Sequence, residues 1–143
     1  MVERLVANEK VEGSNPFARS MFLRSHKSSR KKMDELHKKK CIGCDGDTLP
    51  FDISEIHKFI KKIDGWDVKS SSEKKYYLEK KFKFINFIES QRFINKVSSI
   101  SELENHHPDI FFGWGYAKIK IFTHAIKGLS ESDFILAAKI VKI

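Results

Sequence analysis

Long apolar runs are missing from this chain of 143 residues. Nowhere does it hold the roughly 20 consecutive apolar residues of a membrane-spanning helix. Glycine and proline are scarce, at 7 and 3 residues, which excludes collagen-like and low-complexity chains. Two cysteines are too few for the disulfide framework of a small secreted protein. Also missing are a Gly-rich phosphate loop, a serine nucleophile elbow and a His-Glu-x-x-His pair. The common nucleotide-binding, hydrolase and zinc-protease readings go with them. What is present is 41% hydrophobic and 12% aromatic residues, a near-average globular composition in a length that suits one domain. A soluble cytoplasmic protein is expected.

The net charge of +8 raises nucleic acid as a partner. Its distribution argues otherwise. Residues 1–40 carry 11 Lys/Arg against 5 Asp/Glu, a net +6, so the remaining 103 residues carry only +2. Met21 to Met33 has no acidic residue and no sustained periodicity, the composition of a solvated tail. Residues 1–37 are therefore expected to be a basic extension, disordered on composition, and residues 38–143 the domain. Two other readings compete. Met21 onward is Arg/Ser-rich like a transit peptide, although Glu3, Glu9 and Glu12 precede it. Val11 to Phe17 also matches the conceptual translation of a transfer-RNA T-arm, which would place the true start at Met21 or Met33. Nucleic acid is not expected as a partner.

Beyond residue 41 the pattern is regular. Asp52 with Glu55 has capping-box spacing, and Ile53, Ile56, Phe59, Ile60 and Ile63 recur at helical spacing, which predicts a helix over 53–63. Trp66 to Lys69 and Tyr76 to Phe84 read as a hairpin around a polar turn. Asn86 with Glu89 opens a second helix that runs to about Leu103. Asp109 to Trp114 and Tyr116 to His124 read as a second hairpin, with Ala117, Ile119, Ile121 and Thr123 on one face of the last strand. Ser130 with Asp133 caps a terminal helix reaching Val141. The order α-β-β-α-β-β-α predicts an α+β fold, a four-stranded antiparallel sheet with its helices packed on one face. The other face is left open, which suits self-association.

Chemistry then rests on histidine. His106-His107-Pro108 follows the second helix, and Pro108 keeps His107 out of helical dihedrals. His124 ends the last strand, where it can meet the pair. Imidazole transfers protons near neutral pH without a large pKa shift. Each histidine also has a structural reading: His106 as a helix cap, His107 as a turn residue, His124 bonded to backbone. Three histidines can hold zinc as well, although adjacent side chains such as His106 and His107 often diverge.

Glu102 to Asp109 (ELENHHPD), Trp114, Thr123-His124 and Gly128 to Asp133 (GLSESD) together resemble the signature of the pterin-4a-carbinolamine dehydratases. Lys40 to Cys44, Gly65-Trp66, Phe82 to Phe87 and Asp133 to Ile140 are similar to bacterial-type members, so the resemblance covers about residues 38–142. It implies a dehydratase/dimerisation-cofactor fold and loss of water from a 4a-hydroxytetrahydropterin to give the quinonoid dihydropterin. It also implies His106, His107 and His124 as active-site histidines; of these, His107 and His124 are expected to be the main proton-transfer pair, with His106 binding and orienting. Asn105, Pro108 and Thr123 are implied as pterin contacts, with Glu102 and Asp133 in support. Asp133 also has a reading as a plain helix cap, and Trp66, which could stack on a pterin, has one as core, the commoner place for a tryptophan after Gly on a short strand. No metal or organic cofactor is implied. The implied partners are the pterin, a second or fourth copy of the chain, and an aromatic amino acid hydroxylase in the pathway. Animal members also serve as dimerisation cofactors of a transcription factor, so a non-catalytic protein-binding role is the alternative. Cys41 and Cys44, with His37 and Asp45 or Asp47, could bind zinc, but two reduced thiols are the expectation.

Overall fold

The computed structural model describes residues 35–43 and 46–143, all within one compact unit, Lys32–Ile143. The readings of residues 1–34, and those involving Cys44 and Asp45, lie outside the described residues. Seven elements follow in the expected order. They are α1 (Ile53–Ile60), β1 (Asp67–Ser70), β2 (Tyr76–Lys83), α2 (Phe87–Glu104), β3 (Asp109–Gly113), β4 (Tyr116–Ile121) and α3 (Glu131–Val141).

Each helix starts where a side chain can replace the missing carbonyl of a preceding turn. Asp52 accepts from the Glu55 N–H at 2.8 Å while Glu55 accepts from the Asp52 N–H at 3.1 Å, and Asn86 accepts from the Glu89 N–H at 2.9 Å. α1 stops three residues short of the predicted end. Its exit tightens into Lys62 N–H to Phe59 O and Ile63 N–H to Ile60 O bonds, which still turn Ile63 into the core.

The strands form one antiparallel sheet in the order β1-β2-β4-β3. Leu78 pairs with Ile121, Phe82 with Ala117 and Ile110 with Ile119, so one face is apolar. α1, α2 and α3 cover that face. α2 turns Ser90, Ile94, Val97 and Ser101 inward at spacings of three and four. α3 is buried continuously from Ser132 to Ala138 and lies against both α1 and α2. A helix apolar on all sides has to sit in the middle of a domain. Phe134, at its centre, meets the rings of Phe51 and Phe59 at 6.2 and 5.3 Å. Leu36 is also buried in this core, which therefore draws on a residue before the expected domain start at 38. Among the described residues, no helix is long and apolar enough to cross a membrane.

The opposite face bears Tyr77, Glu79, Lys81, Lys118 and Lys120, with nothing packed over it among the described residues. Lys80 breaks the alternation rule on the core side. It keeps its stem inward and snorkels to donate to Asp64 O at 2.9 Å, beside Gly65, and the burial lowers its pKa.

Candidate active site

The site begins with how α2 ends. Asn105 adopts the left-handed conformation, φ 49°. Its N–H bonds Glu102 O and the next N–H, of His106, bonds Ser101 O at 3.0 Å. That pair of bonds is a Schellman closure, and asparagine is among the few non-glycine residues that enter it cheaply. The reversal sends His106 inward against α3 and returns His107 over the last turn of α2. Pro108 then sets the extended chain that enters β3.

His106 is the buried member, with 12% of its side chain exposed, and its Nε2 lies 2.7 Å from Oδ1 of Asp133. Asp133 is completely buried on the first turn of α3. Its other oxygen accepts from Thr123 Oγ1 at 2.8 Å, from the Ser130 N–H at 2.7 Å and from Ser130 Oγ at 3.2 Å. One carboxylate thus closes the helix start and holds an imidazole. A buried polar group needs its partners, and here both oxygens have them. A carboxylate can only accept, so Nε2 of His106 carries a hydrogen in this pairing and Nδ1 is the ring atom left for a ligand.

His107 and His124 are exposed. His107 Nε2 lies 2.7 Å from Glu102 Oε1, with 55% of the His107 side chain and 78% of the Glu102 side chain exposed. Spacing alone sets Glu102 one helical turn before His106. The Schellman reversal instead puts His107 over it. His124 Nε2 is 3.9 Å from Asp109 Oδ1, beyond a hydrogen bond but within ion-pair reach, and its ring lies 4.2 Å from that of Phe122, tilted by 43°. The strand predicted to run to His124 ends at Ile121. Thr123 then makes a lone bridge with Gly128, and the chain between them forms a tight turn. Gly128 has to be glycine, since a Cβ there would come within 2.6 Å of Pro50.

Two carboxylates therefore tie the histidines to one region. Asp133 joins His106 to Thr123, the neighbour of His124. Asp109, which follows His107-Pro108, faces His124 itself. Asp109 closes the ELENHHPD motif and opens a strand after the histidine pair, but the sequence expectation gives it no role in the site. Asn105 serves as the left-handed residue that builds the turn. Trp66 goes elsewhere: it is 5% exposed, meets Phe82 edge-on at 6.3 Å, and its indole N–H has no hydrogen-bond partner. A ring closed in the core has no free face for a flat ligand, so stacking on Trp66 does not fit this arrangement.

Behind the site, the segment over residues 39–42 straps α2 to α3. Lys39 pairs with Glu131 at 2.6 Å, the Cys41 N–H donates to Glu104 Oε2 at 2.8 Å, and the Ile42 N–H donates to Ser132 Oγ at 3.1 Å. Glu104 also pairs with Lys139. Burial alone would raise the Glu104 carboxyl, but the Cys41 N–H and the Lys139 ammonium outweigh it and hold it below the usual carboxylate range. Burial, then the Glu104 charge, push the Cys41 thiol up to about 12. It is a protonated donor to Ser132 O, at 3.4 Å.

Imidazoles and carboxylates at one helix exit suit acid/base proton transfer on a small ligand, and that is the class of site this α+β domain carries. Residues 50–143 match the family model described as pterin 4 alpha carbinolamine dehydratase. A provisionally named pterin-4-alpha-carbinolamine dehydratase of Rubrobacter xylanophilus is 42% identical over 78% of this chain and all of its own length. One of the same name from Rickettsia canadensis is 43% identical over 76% of this chain and 96% of its own. A crystal structure of a transcriptional coactivator/pterin dehydratase from Brucella melitensis superimposes with a TM-score of 0.58 at 24% identity, covering 65% of this chain and 96% of that one, which shows the shared fold. The chain belongs to the pterin 4 alpha carbinolamine dehydratase family.

Proposed function

We propose that this chain is a hydro-lyase that dehydrates a 4a-hydroxytetrahydropterin to the quinonoid dihydropterin, in the recycling of a tetrahydropterin. The reaction breaks the C4a–O bond and makes a C4a=N5 double bond. The departing hydroxyl gains a proton and N5 loses one, so water leaves and the proton count balances. An acid and a base standing on one region of the ring are sufficient, each typically worth about 10²–10⁴-fold. His107 and His124 are the exposed imidazoles and form the proton-transfer pair. His106, engaged at Nε2 by Asp133, binds and orients the pterin through Nδ1. Asn105 and Pro108 line the approach, and Glu102 and Asp133 fix the rings of His107 and His106; Thr123, expected as a pterin contact, is only 6% exposed and acts through its hydrogen bond to Asp133 instead.

The observation that supports this reading most is the chain His106, Asp133, Thr123, which ties the helix exit to the neighbour of His124. A stopped-flow measurement with synthetic 4a-hydroxytetrahydropterin tests it. Wild-type protein is expected to accelerate dehydration, and His107→Ala to slow the catalysed step by about 10²-fold or more with the fold intact. Absence of acceleration by the wild type would favour the non-catalytic protein-binding role. A cytoplasmic location and a homodimer or homotetramer belong to the same reading, with an aromatic amino acid hydroxylase upstream in the pathway. Supporting self-association, β1 and β3 are sheet edges, and Ile85, Phe87, Phe112 and Trp114 are exposed near the β3–β4 turn. Light scattering of the purified chain gives the copy number.

A further inference from the structure

Beyond the histidines the site has an extension. A cavity of about 470 Å³ lies between the β1–β2 hairpin and the turn from Thr123 to Gly128. Tyr77 and Phe122 provide aromatic surface, Lys120 and Lys127 stand over it, Glu73 and Lys75 close the hairpin side, and His124 lines the same space. His124 thus belongs both to the acid/base cluster and to this cavity.

The charges in the cavity do not cancel. Glu73 is taken up chiefly by Lys75, whose hydrogen bond and charge lower its carboxyl pKa, with a lesser pull from the Lys127 charge farther off. The Lys120 ammonium sits 4.5 Å from the Tyr77 ring centre and 5.1 Å from that of Phe122. Its cross-strand neighbours are Glu79 and Asp109, but Glu79 is paired with Lys69 at 2.5 Å and Asp109 faces His124. Among the described residues, no carboxylate lies within ion-pair distance of either the Lys120 or the Lys127 ammonium. Lys127 is in the left-handed region, φ 51°, which an L side chain with a long stem adopts reluctantly. The bridge between Thr123 and Gly128 and the bond from the Lys127 N–H to His124 O hold it there. Two cations thus converge on a concave aromatic surface beside a reacting group.

We infer that this cavity receives an anionic substituent on C6 of the pterin, a phosphate ester or a carboxylate, so that the enzyme prefers substrates with a charged tail. The inference rests on the dehydratase reading above. Its geometry follows from the ring: C6 is bonded to N5, so the substituent starts two bonds from N5 and four from the 4a-hydroxyl oxygen, the two atoms His124 could serve. A tail leaving the ring beside His124 enters the space that Lys120 and Lys127 flank. The Tyr77 and Phe122 surfaces hold its apolar part, and the ammonium groups meet the anion.

The test compares the 4a-hydroxy derivatives of 6-hydroxymethyltetrahydropterin, of its phosphate ester and of a carboxylate-tailed analogue, made by chemical oxidation. Wild-type protein is expected to show a KM for one or both charged substrates roughly tenfold below that of the neutral one, with similar kcat and a preference that shrinks as salt is added. The phosphate and carboxylate arms tell the two anions apart. In the double variant Lys120→Gln/Lys127→Gln, the preference in kcat/KM should fall to about one. Equilibrium fluorescence binding of 6-hydroxymethyl-7,8-dihydropterin and its phosphate gives the same comparison without turnover. Equal KM values for all three substrates in the wild type overturn the inference and leave the dehydratase reading standing. A charged-tail preference that survives the double variant overturns it as well, because the anion then sits elsewhere. No acceleration of any of the three substrates overturns the dehydratase reading and this inference with it.

Discussion

The two halves of the site are built on opposite terms. His106 is enclosed, its Nε2 held by a carboxylate with no solvent exposure that also accepts from Thr123 and Ser130. His107 and His124 stand in the open, each against an acid that is itself partly or largely exposed. The buried half has one available geometry, because any rotation would strand a desolvated carboxylate oxygen. The exposed half exchanges its partners with water at little cost. A site that both orients a flat ligand and moves protons benefits from that division. The fixed group sets the position, and the loosely held groups give and take protons.

Breaking the buried half should have the largest effect. Asp133→Ala removes the shared acceptor of four hydrogen bonds from His106, Thr123 and Ser130, strands the His106 ring N–H, and leaves the Thr123–Ser130 hydroxyl pair at 3.0 Å without its buried carboxylate. A loss of about 3–5 kcal/mol of unfolding free energy is expected in urea titrations, together with loss of turnover. A small change in midpoint would mean that the hub is not structural.

His124→Ala sharpens the contrast from the other side. Turnover should fall by about 10²-fold or more, while the unfolding midpoint stays close to the wild type, as for other exposed positions. Equal destabilisation by the two variants would erase the distinction between the halves.

The smallest effect is expected at the strap behind the buried half. The folded-state pKa of Glu104 is depressed, so its contribution to stability is present above the unfolded-chain value near 4.3 and is lost as pH falls through the lower folded-state value. Glu104→Gln should cost about 1–2 kcal/mol at pH 7 and remove that part of the acid loss, as seen in chemical denaturation from pH 7 to pH 3. A variant with the same acid profile as the wild type would detach the Cys41–Glu104–Lys139 cluster from stability.

Much of the fold was legible because its signals are local. Asp52 with Glu55, Asn86 with Glu89 and Ser130 with Asp133 mark three helix starts by spacing alone, and alternation over Tyr76 to Phe82 and Ala117 to Ile121 marks the core face of the sheet. Errors gathered where the deciding atoms are distant in sequence. The last strand stops at Ile121 because Thr123 is claimed by Gly128 and Asp133, not by a neighbouring strand. The sequence leaves open which imidazole Glu102 supports, and His107 is the one it meets because a left-handed Asn105 turns the chain back over the end of the helix. Trp66 reads as a ligand platform or as core until its burial and the edge-on Phe82 ring place it in the core.

By itself, the sequence determined the order and kind of the elements, the three caps, the apolar faces and the residue types available for chemistry. These depend on backbone propensity and on periodicities of two and three to four residues, which act over a turn or a strand. Only the tertiary structure decided which acid meets which histidine, that Asp133 is both helix cap and imidazole partner, and that His124 opens onto a cavity lined by three lysines. Those outcomes depend on where desolvated polar groups find partners across 27 and 10 residues of chain, as in His106 with Asp133 and Thr123 with Asp133. Local spacing carries no record of that cost, because burial is a property of the assembled core.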